Sequence, residues 1–282
     1  MKLLSLFLIF ISITSIEPHF CFEENCLEIV KNITASADNQ VNCAFYNIDK
    51  TLLDHLNNLT SEVKTISHHR FPNVKKINSR GLMHNKFCII DNEIVLTGSF
   101  NPTKNNSYDD LLIIKDKKVA KVYQTEFNEL WTENFSISKN NEFKNFQAYF
   151  CPADDCASKL VNEINKAKVS INFITYSFTS KEVAIALAKK RHLEIKGILD
   201  KSQISKYSMY HFLDRIGLNI KPDSVRELMH FKLFIIDNET IVTGSYNPTR
   251  NGQLNNNENM IIIKDEDIAK LYSNIFGKLW LK

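Results

Sequence analysis

Met83 to Thr103 reads MHNKFCIIDNEIVLTGSFNPT, and Met229 to Thr249 reads MHFKLFIIDNETIVTGSYNPT. The two strings agree at 14 of 21 positions at a constant offset of 146 residues, so the chain is built on an internal repeat. The identities are not only the apolar ones a core would need. His84, Lys86, Asp91, Ser99 and Asn101 return as His230, Lys232, Asp237, Ser245 and Asn247 with their spacing intact. The opening of each string alternates as a strand does, so His84 and Lys86 share a face, as do His230 and Lys232. Ser99 with Asn101, and Ser245 with Asn247, share a face on the returning segment. Asp91-Asn92-Glu93 and Asp237-Asn238-Glu239 are short and turn-rich. Each copy therefore reads as a hairpin that lays HxK beside GSxN.

This doubled HxKxxxxD…GSxN pattern resembles the phospholipase D superfamily of phosphodiesterases. The resemblance implies one active site shared by the two copies, at which one imidazole attacks phosphorus and the other protonates the leaving oxygen. Histidine suits both tasks because its ordinary pKa of about 6.5 leaves both forms accessible. By the same resemblance His84 is the nucleophile and His230 the acid. Lys86, Lys232, Asn101 and Asn247 surround the phosphate with Ser99 and Ser245 beside them, and no metal or other cofactor is called for. An acid in the segment after each motif holds the opposite half's histidine, which pairs Glu258 with His84 and Asp109 with His230. Asp91 and Asp237 belong to the same motif, but their place at a strand end fits a structural role at least as well as a catalytic one.

The repeat extends outward. LLIIKDKKVAKVYQTEFNELW (Leu111 to Trp131) parallels MIIIKDEDIAKLYSNIFGKLW (Met260 to Trp280), each a buried strand, a polar turn and an amphipathic helix. Upstream, the spacing from cysteine to motif histidine is 63 residues for Cys21 to His84 and 79 for Cys151 to His230. The longer half reads as helix 155–166, strand 169–176, helix 181–192, strand 194–199 and helix 205–216. The shorter reads as strand 41–46, helix 51–59 and strand 62–66. Strands alternating with helices predict an α/β fold of two pseudo-twofold-related halves, each a mixed, mostly parallel sheet flanked by helices, with the active site at the seam. The expected organisation is a leader at 1–16, a first half at 17–135, a linker at 136–146 and a second half at 147–282, acting as a monomeric pseudo-dimer.

Met1-Lys2 and the apolar run Leu3 to Ile16 read as a secretory signal peptide, an uncleaved membrane anchor being the other reading. Export to the cell envelope or beyond follows. Two C-x4-C pairs, Cys21 with Cys26 and Cys151 with Cys156, then suggest a disulfide within each pair, zinc on the four thiols being the rival. Cys43 and Cys88 lie in apolar strand patterns and read as buried core thiols. The charge of +3 permits an anionic substrate without naming one. His68, Arg70, Lys75, Lys76, Lys104 and Arg250 are candidate contacts to flanking phosphates, and Lys201 to Gly217 is a candidate cleft rim. Within that superfamily the compact halves and export leader resemble the small exported bacterial nuclease branch, and the resemblance implies an exported endonuclease on DNA or RNA. A phospholipase D acting on phospholipids, and an inactive module that binds nucleic acid or lipid, are the alternatives.

Overall fold

Asp91-Asn92 and Asp237-Asn238 turn the two hairpins. All four take positive φ, between 51° and 56°, a backbone that mirror-image tight turns require and that Asp and Asn tolerate. The structure is a computed structural model that describes residues 14–104, 107–135, 141–143 and 145–282. The first half runs β1 (Ser15–Phe20), α1 (Cys26–Ala35), β2 (Gln40–Phe45), α2 (Lys50–Asn57), β3 (Glu62–Ser67) and β4 (Lys75–Lys76). It closes with β5 (Lys86–Ile90), β6 (Ile94–Gly98), β7 (Ser107–Tyr108), β8 (Asp110–Lys115) and α3 (Lys117–Thr132). The second half runs β9 (Glu142–Phe143), β10 (Phe146–Cys151), α4 (Cys156–Lys166), β11 (Ser170–Thr175), α5 (Lys181–Lys189), β12 (Glu194–Leu199) and α6 (Tyr210–Arg215). It closes with β13 (Asn219–Pro222), β14 (Leu228–Met229), β15 (Lys232–Ile236), β16 (Thr240–Gly244), α7 (Arg250–Leu254), β17 (Glu258–Lys264) and α8 (Glu266–Trp280).

One sheet has the order β1-β8-β6-β5-β2-β3-β4 and the other β13-β12-β11-β15-β16-β17-β10-β9. The α/β class and the two related halves are as expected, but the strands are not mostly parallel. Within these two sheets β2/β3, β3/β4, β11/β12 and β12/β13 run parallel and the other described neighbours antiparallel; β14 and β7 form a separate parallel pair. The reason is local: a crossover helix joins β2 to β3 and β11 to β12, whereas the motif hairpins and the strands that follow them fold straight back.

Period-2 alternation sorts the strand side chains into layers. Phe87 and Ile89 of β5, and Leu233 and Ile235 of β15, enter a central core that also takes α3 and α8. Cys88 and Ile90 face outward under α1 and α2, while Phe234 and Ile236 face outward under α4, α5 and α6. Asp116 and Asp265 start the two central helices by accepting from Lys118 and Val119, and from Asp267 and Ile268.

All six cysteines form disulfides. Cys21–Cys26 and Cys151–Cys156 each tie a strand end to the first turn of the next helix, so these thiols are not zinc ligands. The expectation of free thiols at Cys43 and Cys88 is overturned: the two are direct register partners on β2 and β5, with Cα atoms 4.1 Å apart, and are bonded. Of the expected leader, residues 1–13 lie outside the described residues, whereas Ser15 and Ile16 pair with Lys115 and Ile114 in β1. In the expected linker, residues 136–140 and 144 lie outside the described residues, Glu142 and Phe143 form β9, and Phe146 opens β10. The helix expected at 205–216 is shorter, a 3-10 turn at Lys201–Gln203 preceding α6. Among the described residues no helix is long and apolar enough to cross a membrane.

Candidate active site

Two short pairings across the seam fix where the histidines sit. β14 pairs with β7, matching Met229 to Tyr108, and an isolated bridge matches Met83 to Asn257. The His84 N–H donates to the Asn257 carbonyl at 2.9 Å, and the His230 N–H to that of Tyr108 at 3.0 Å. Each half thus delivers its histidine to the residue preceding the other half's acid. Glu258 Oε2 lies 2.7 Å from His84 Nδ1, and Asp109 Oδ1 lies 2.8 Å from His230 Nδ1. A carboxylate at Nδ1 selects the tautomer that donates from Nδ1 and leaves the Nε2 lone pair free.

All of these groups are buried, and their charges are coupled. Burial drives the His84 imidazole down to about 4, against the opposing pull of Glu258. Burial and Lys232 lower His230, again opposed by Asp109. Burial pushes Glu258 and Asp109 up, but the partner histidines and the lysines bring both below the usual carboxylate range. The Lys86 ammonium is lowered by burial and then by Lys232, and burial brings Lys232 down to about 8. Lysines from the two halves therefore stand close enough to repel one another.

Lys86 Nζ donates to the His84 carbonyl at 2.8 Å and Lys232 Nζ to the His230 carbonyl at 2.6 Å. Each ammonium also lies over a tyrosine ring that sequence reasoning did not single out: Lys86 is 5.5 Å from the Tyr46 centroid and Lys232 is 5.3 Å from Tyr176. These rings stand 5.0 Å from His84 and His230 respectively. The signal was present, since both tyrosines directly follow equivalent strands, but neither lies within the motif. Gln203 Nε2 donates to the Tyr176 hydroxyl at 3.1 Å, which brings part of the expected 201–217 rim to the site.

Ser99 and Ser245 are fully buried supports. Ser99 locks the β6–β8 crossing through the Asp110 backbone and side chain, and the Ser245 hydroxyl donates to Glu258 Oε2 at 2.6 Å. Gly98 and Gly244 at these crossings have φ of 140° and 128°, and a Cβ on either would come within 2.4 Å of a β8 or β17 carbonyl oxygen. Asn101 and Asn247 remain partly exposed; the Asn101 side-chain oxygen has no partner among the described residues, while that of Asn247 accepts the Ser177 N–H at 3.4 Å. Asp110 and Asn259, which follow the two acids, were also missed. Asp110 Oδ2 accepts from Thr243 and Tyr272, each at 2.7 Å, and Asn259 Oδ1 accepts the Lys86 N–H at 2.9 Å, so both stitch the halves together.

Asp91 and Asp237 are not part of this cluster. They lie beyond the far ends of β5 and β15, where Asp91 accepts the N–H groups of Asp38, Asn39 and Gln40 and Asp237 those of Lys168, Val169 and Ser170. Their candidacy as catalytic residues is corrected to a structural role, pinning each hairpin tip to the neighbouring helix-to-strand loop. Of the cationic candidates, Lys75 is engaged by Glu133 and the Trp131 carbonyl, and His68 accepts the Met83 N–H at 3.3 Å. Arg70, Lys76, Lys104 and Arg250 are exposed.

The profile of the family described as "Cardiolipin synthase, PLD-like domain" matches residues 28–131 and 160–280, one segment in each half. The chain belongs to the phospholipase D superfamily. This superfamily member is 32% identical to a phospholipase D of Rickettsia conorii over 146 residues, 51% of this chain and 72% of that one. It is 28% identical to the canine mitochondrial cardiolipin hydrolase over 126 residues, 44% of this chain and 50% of that one. The fold is shared with the phosphatidylserine synthase of Haemophilus influenzae, at 11% identity and a TM-score of 0.67 over 91% of this chain and 83% of that one. The chain is thus a phosphodiesterase of this superfamily, with one matched segment in each repeat.

Proposed function

We propose that the protein hydrolyses phosphodiesters through a phosphohistidine, with nucleic acid as its substrate. The observation that carries the chemistry is the crossed pair of histidine–carboxylate contacts, which frees one Nε2 in each half. His84, neutral at physiological pH, attacks phosphorus through Nε2 while Glu258 stabilises the charge it gains. His230, carrying a proton on Nε2, gives it to the leaving oxygen. Water then attacks the phosphohistidine with His230 as base, and His84 leaves as the free imidazole. Lys86 and Lys232 oppose the negative charge that grows on the phosphoryl oxygens. The anion itself raises both imidazole pKa values on binding, so His230 gains its proton in the complex.

Cations that recur on both sides of the seam support nucleic acid. Arg80 and Arg226 each stand four residues before a site histidine, Lys104 and Arg250 each three after a site asparagine, and all are exposed. A polymer with a phosphate on either side of the scissile one meets both sets. The second reading, a phospholipid, is favoured by Leu82 and Leu228, equivalent residues that are 36% and 43% exposed beside the histidines, and by the names of the relatives. The three disulfides support export to an oxidising compartment. The test compares turnover of single-stranded DNA, duplex DNA, RNA and phospholipid vesicles in excess chelator. Nucleic-acid cleavage lost in His84→Ala is expected; cleavage of vesicles alone would replace the first reading by the second.

A further inference from the structure

The two halves match in backbone around their motif lysines but not in charge. Strand register and hydrogen bonds make three pairs of positions equivalent. Phe45 stands opposite Lys86 across β2 and β5, and Thr175 stands opposite Lys232 across β11 and β15. His68 follows β3 and takes the Met83 N–H at 3.3 Å, while Asp200 follows β12 and takes the Met229 N–H at 3.0 Å. Asn259 donates from Nδ2 to the Thr97 hydroxyl across the seam at 2.9 Å, and Asp110 accepts from the equivalent Thr243 at 2.7 Å. A phenyl ring, an imidazole and an amide on the Lys86 side are thus replaced by a hydroxyl and two carboxyls on the Lys232 side.

Charge divides the same way. Asp109, Glu258, Asp110 and Asp200 all favour the Lys232 ammonium, whereas Glu258 and Asp109 are the carboxylates that favour that of Lys86. Those two are already bound to the histidines, so Asp110 and Asp200 make the difference between the halves. Both take donors, as an anion does: Asp110 the Ser99 N–H and the Thr243 and Tyr272 hydroxyls, Asp200 the Met229 and Ser202 N–H groups. Burial pushes Asp110 up, opposed by these donors. The other titratable groups at Lys232 are His230 two residues before it, Lys86 across the seam and Tyr176, whose ring it overlies. Burial lowers both lysines, Lys232 to about 8, and the Lys232 charge adds to the fall of Lys86.

We propose that Asp110 and Asp200 are positioning residues that keep Lys232 charged, so that Lys232, more than Lys86, holds the phosphate. The inference rests on the shared phosphate site of the proposed mechanism and makes its two lysines unequal. A carboxylate beside an anion site weakens binding by repulsion, yet strengthens it where it holds the receiving ammonium in its protonated form. The two effects have opposite sign, and only the second depends on pH through Lys232.

The test is calorimetric titration of the full chain with sodium sulfate, an anion whose own charge is constant over the range used, at fixed ionic strength. Asp110→Asn copies Asn259 of the other half, and Asp200→Asn keeps an oxygen for the Met229 N–H; if one variant does not fold, the other decides. At pH 6, where Lys232 is charged with or without them, either variant should bind sulfate as tightly as wild type or tighter. At pH 8.5 a fall of about one pKa unit at Lys232 lowers its charged fraction roughly eightfold, so binding should weaken by at least about fivefold. Combination with Lys232→Arg, whose guanidinium stays charged, should erase that loss. At pH 7 Lys232→Met should cost more sulfate affinity than Lys86→Met. Equal loss at both pH values, no loss at pH 8.5, a loss that persists with Lys232→Arg, or a larger cost in Lys86→Met would overturn the proposal and leave the shared site standing. Binding unchanged in both methionine variants would overturn the site and the proposal with it.

Discussion

Replacing Glu258 by Gln removes one charge from the centre of the site with little change of shape. Glu258 Oε2 takes two donors, His84 Nδ1 at 2.7 Å and the Ser245 hydroxyl at 2.6 Å, while Oε1 takes Asn256 Nδ2 at 3.0 Å. A glutamine has one oxygen for these three donors. If the oxygen faces His84, the new NH2 opposes the Asn256 NH2, which cannot turn away cheaply because Asn256 Oδ1 holds the Leu82 N–H at 3.0 Å. If the NH2 faces His84, the imidazole must shift its proton to Nε2, and the attacking lone pair is lost. A charge-assisted hydrogen bond contributes about 1.5–3 kcal/mol, which alone gives roughly 10- to 150-fold. Loss of the tautomer raises the penalty toward the 10⁴-fold known for an equivalent Asp-to-Asn change beside a catalytic histidine, as an order of magnitude. Turnover of bis(4-nitrophenyl) phosphate in chelator, on variants checked for an intact unfolding transition, should therefore show kcat down by about 10²-fold or more. In a His84→Ala background the same change should cost almost nothing, because the two residues act as one unit. A Glu258→Gln kcat within about twofold of wild type, or losses that multiply in the double variant, would refute the assigned role.

Asp91→Ala should lower the unfolding midpoint, since three backbone donors lose their acceptor, while kcat per folded molecule stays unchanged; a large fall in kcat would return Asp91 to the site. Opening Cys43–Cys88, which closes a span of 45 residues, should cost about 4 kcal/mol in denaturant unfolding, roughly twice the cost of opening Cys21–Cys26 by the same loop-entropy relation. His84 titrates near 4 in the folded chain against an ordinary 6.5, so the unfolded chain takes up its proton first. The stability this group contributes is complete above pH 6.5 and is lost as pH falls toward 4, and the acid limb of kcat/KM should likewise lie well below 6.5. Glu126 has the opposite sign: raised from 4.5 to about 8, it favours the folded state fully below 4.5 and loses that contribution as pH rises to 8. Glu126→Gln should therefore gain stability relative to wild type at pH 9, read by thermal unfolding.

The parts of this structure legible in the sequence are those where one residue type at one spacing can serve few purposes. The doubled HxK and GSxN strings exposed both histidines and lysines, and the family resemblance they carry, rather than the spacing of the acids, implied the crossed pairing of Glu258 with His84 and Asp109 with His230. What could not be read depends on which strands become neighbours. Cys43 and Cys88 look like core thiols until β2 and β5 are set antiparallel in register. Tyr46 and Tyr176 end strands in the manner of many half-buried tyrosines, and only the fold puts a lysine ammonium over each ring. The sheets are mixed as expected but not mostly parallel, because helical crossovers set only β2 beside β3, β11 beside β12 and β12 beside β13, while the motif hairpins and the strands after them pair antiparallel. Asp91 and Asp237 share the motif with the histidines, yet five residues of strand carry them to the opposite end of β5 and β15.

The claim on which the mechanism depends is that two imidazoles from different repeats act on one phosphorus atom in unequal roles. Intact-mass and peptide mass spectrometry of enzyme quenched in alkali during turnover, where phosphohistidine survives, tests it most directly. One phosphoryl adduct per chain, on His84, absent from His84→Ala and accumulating when His230 is replaced, is the expected result. Adducts on both histidines of the same chain, or full turnover by His84→Ala, would contradict it.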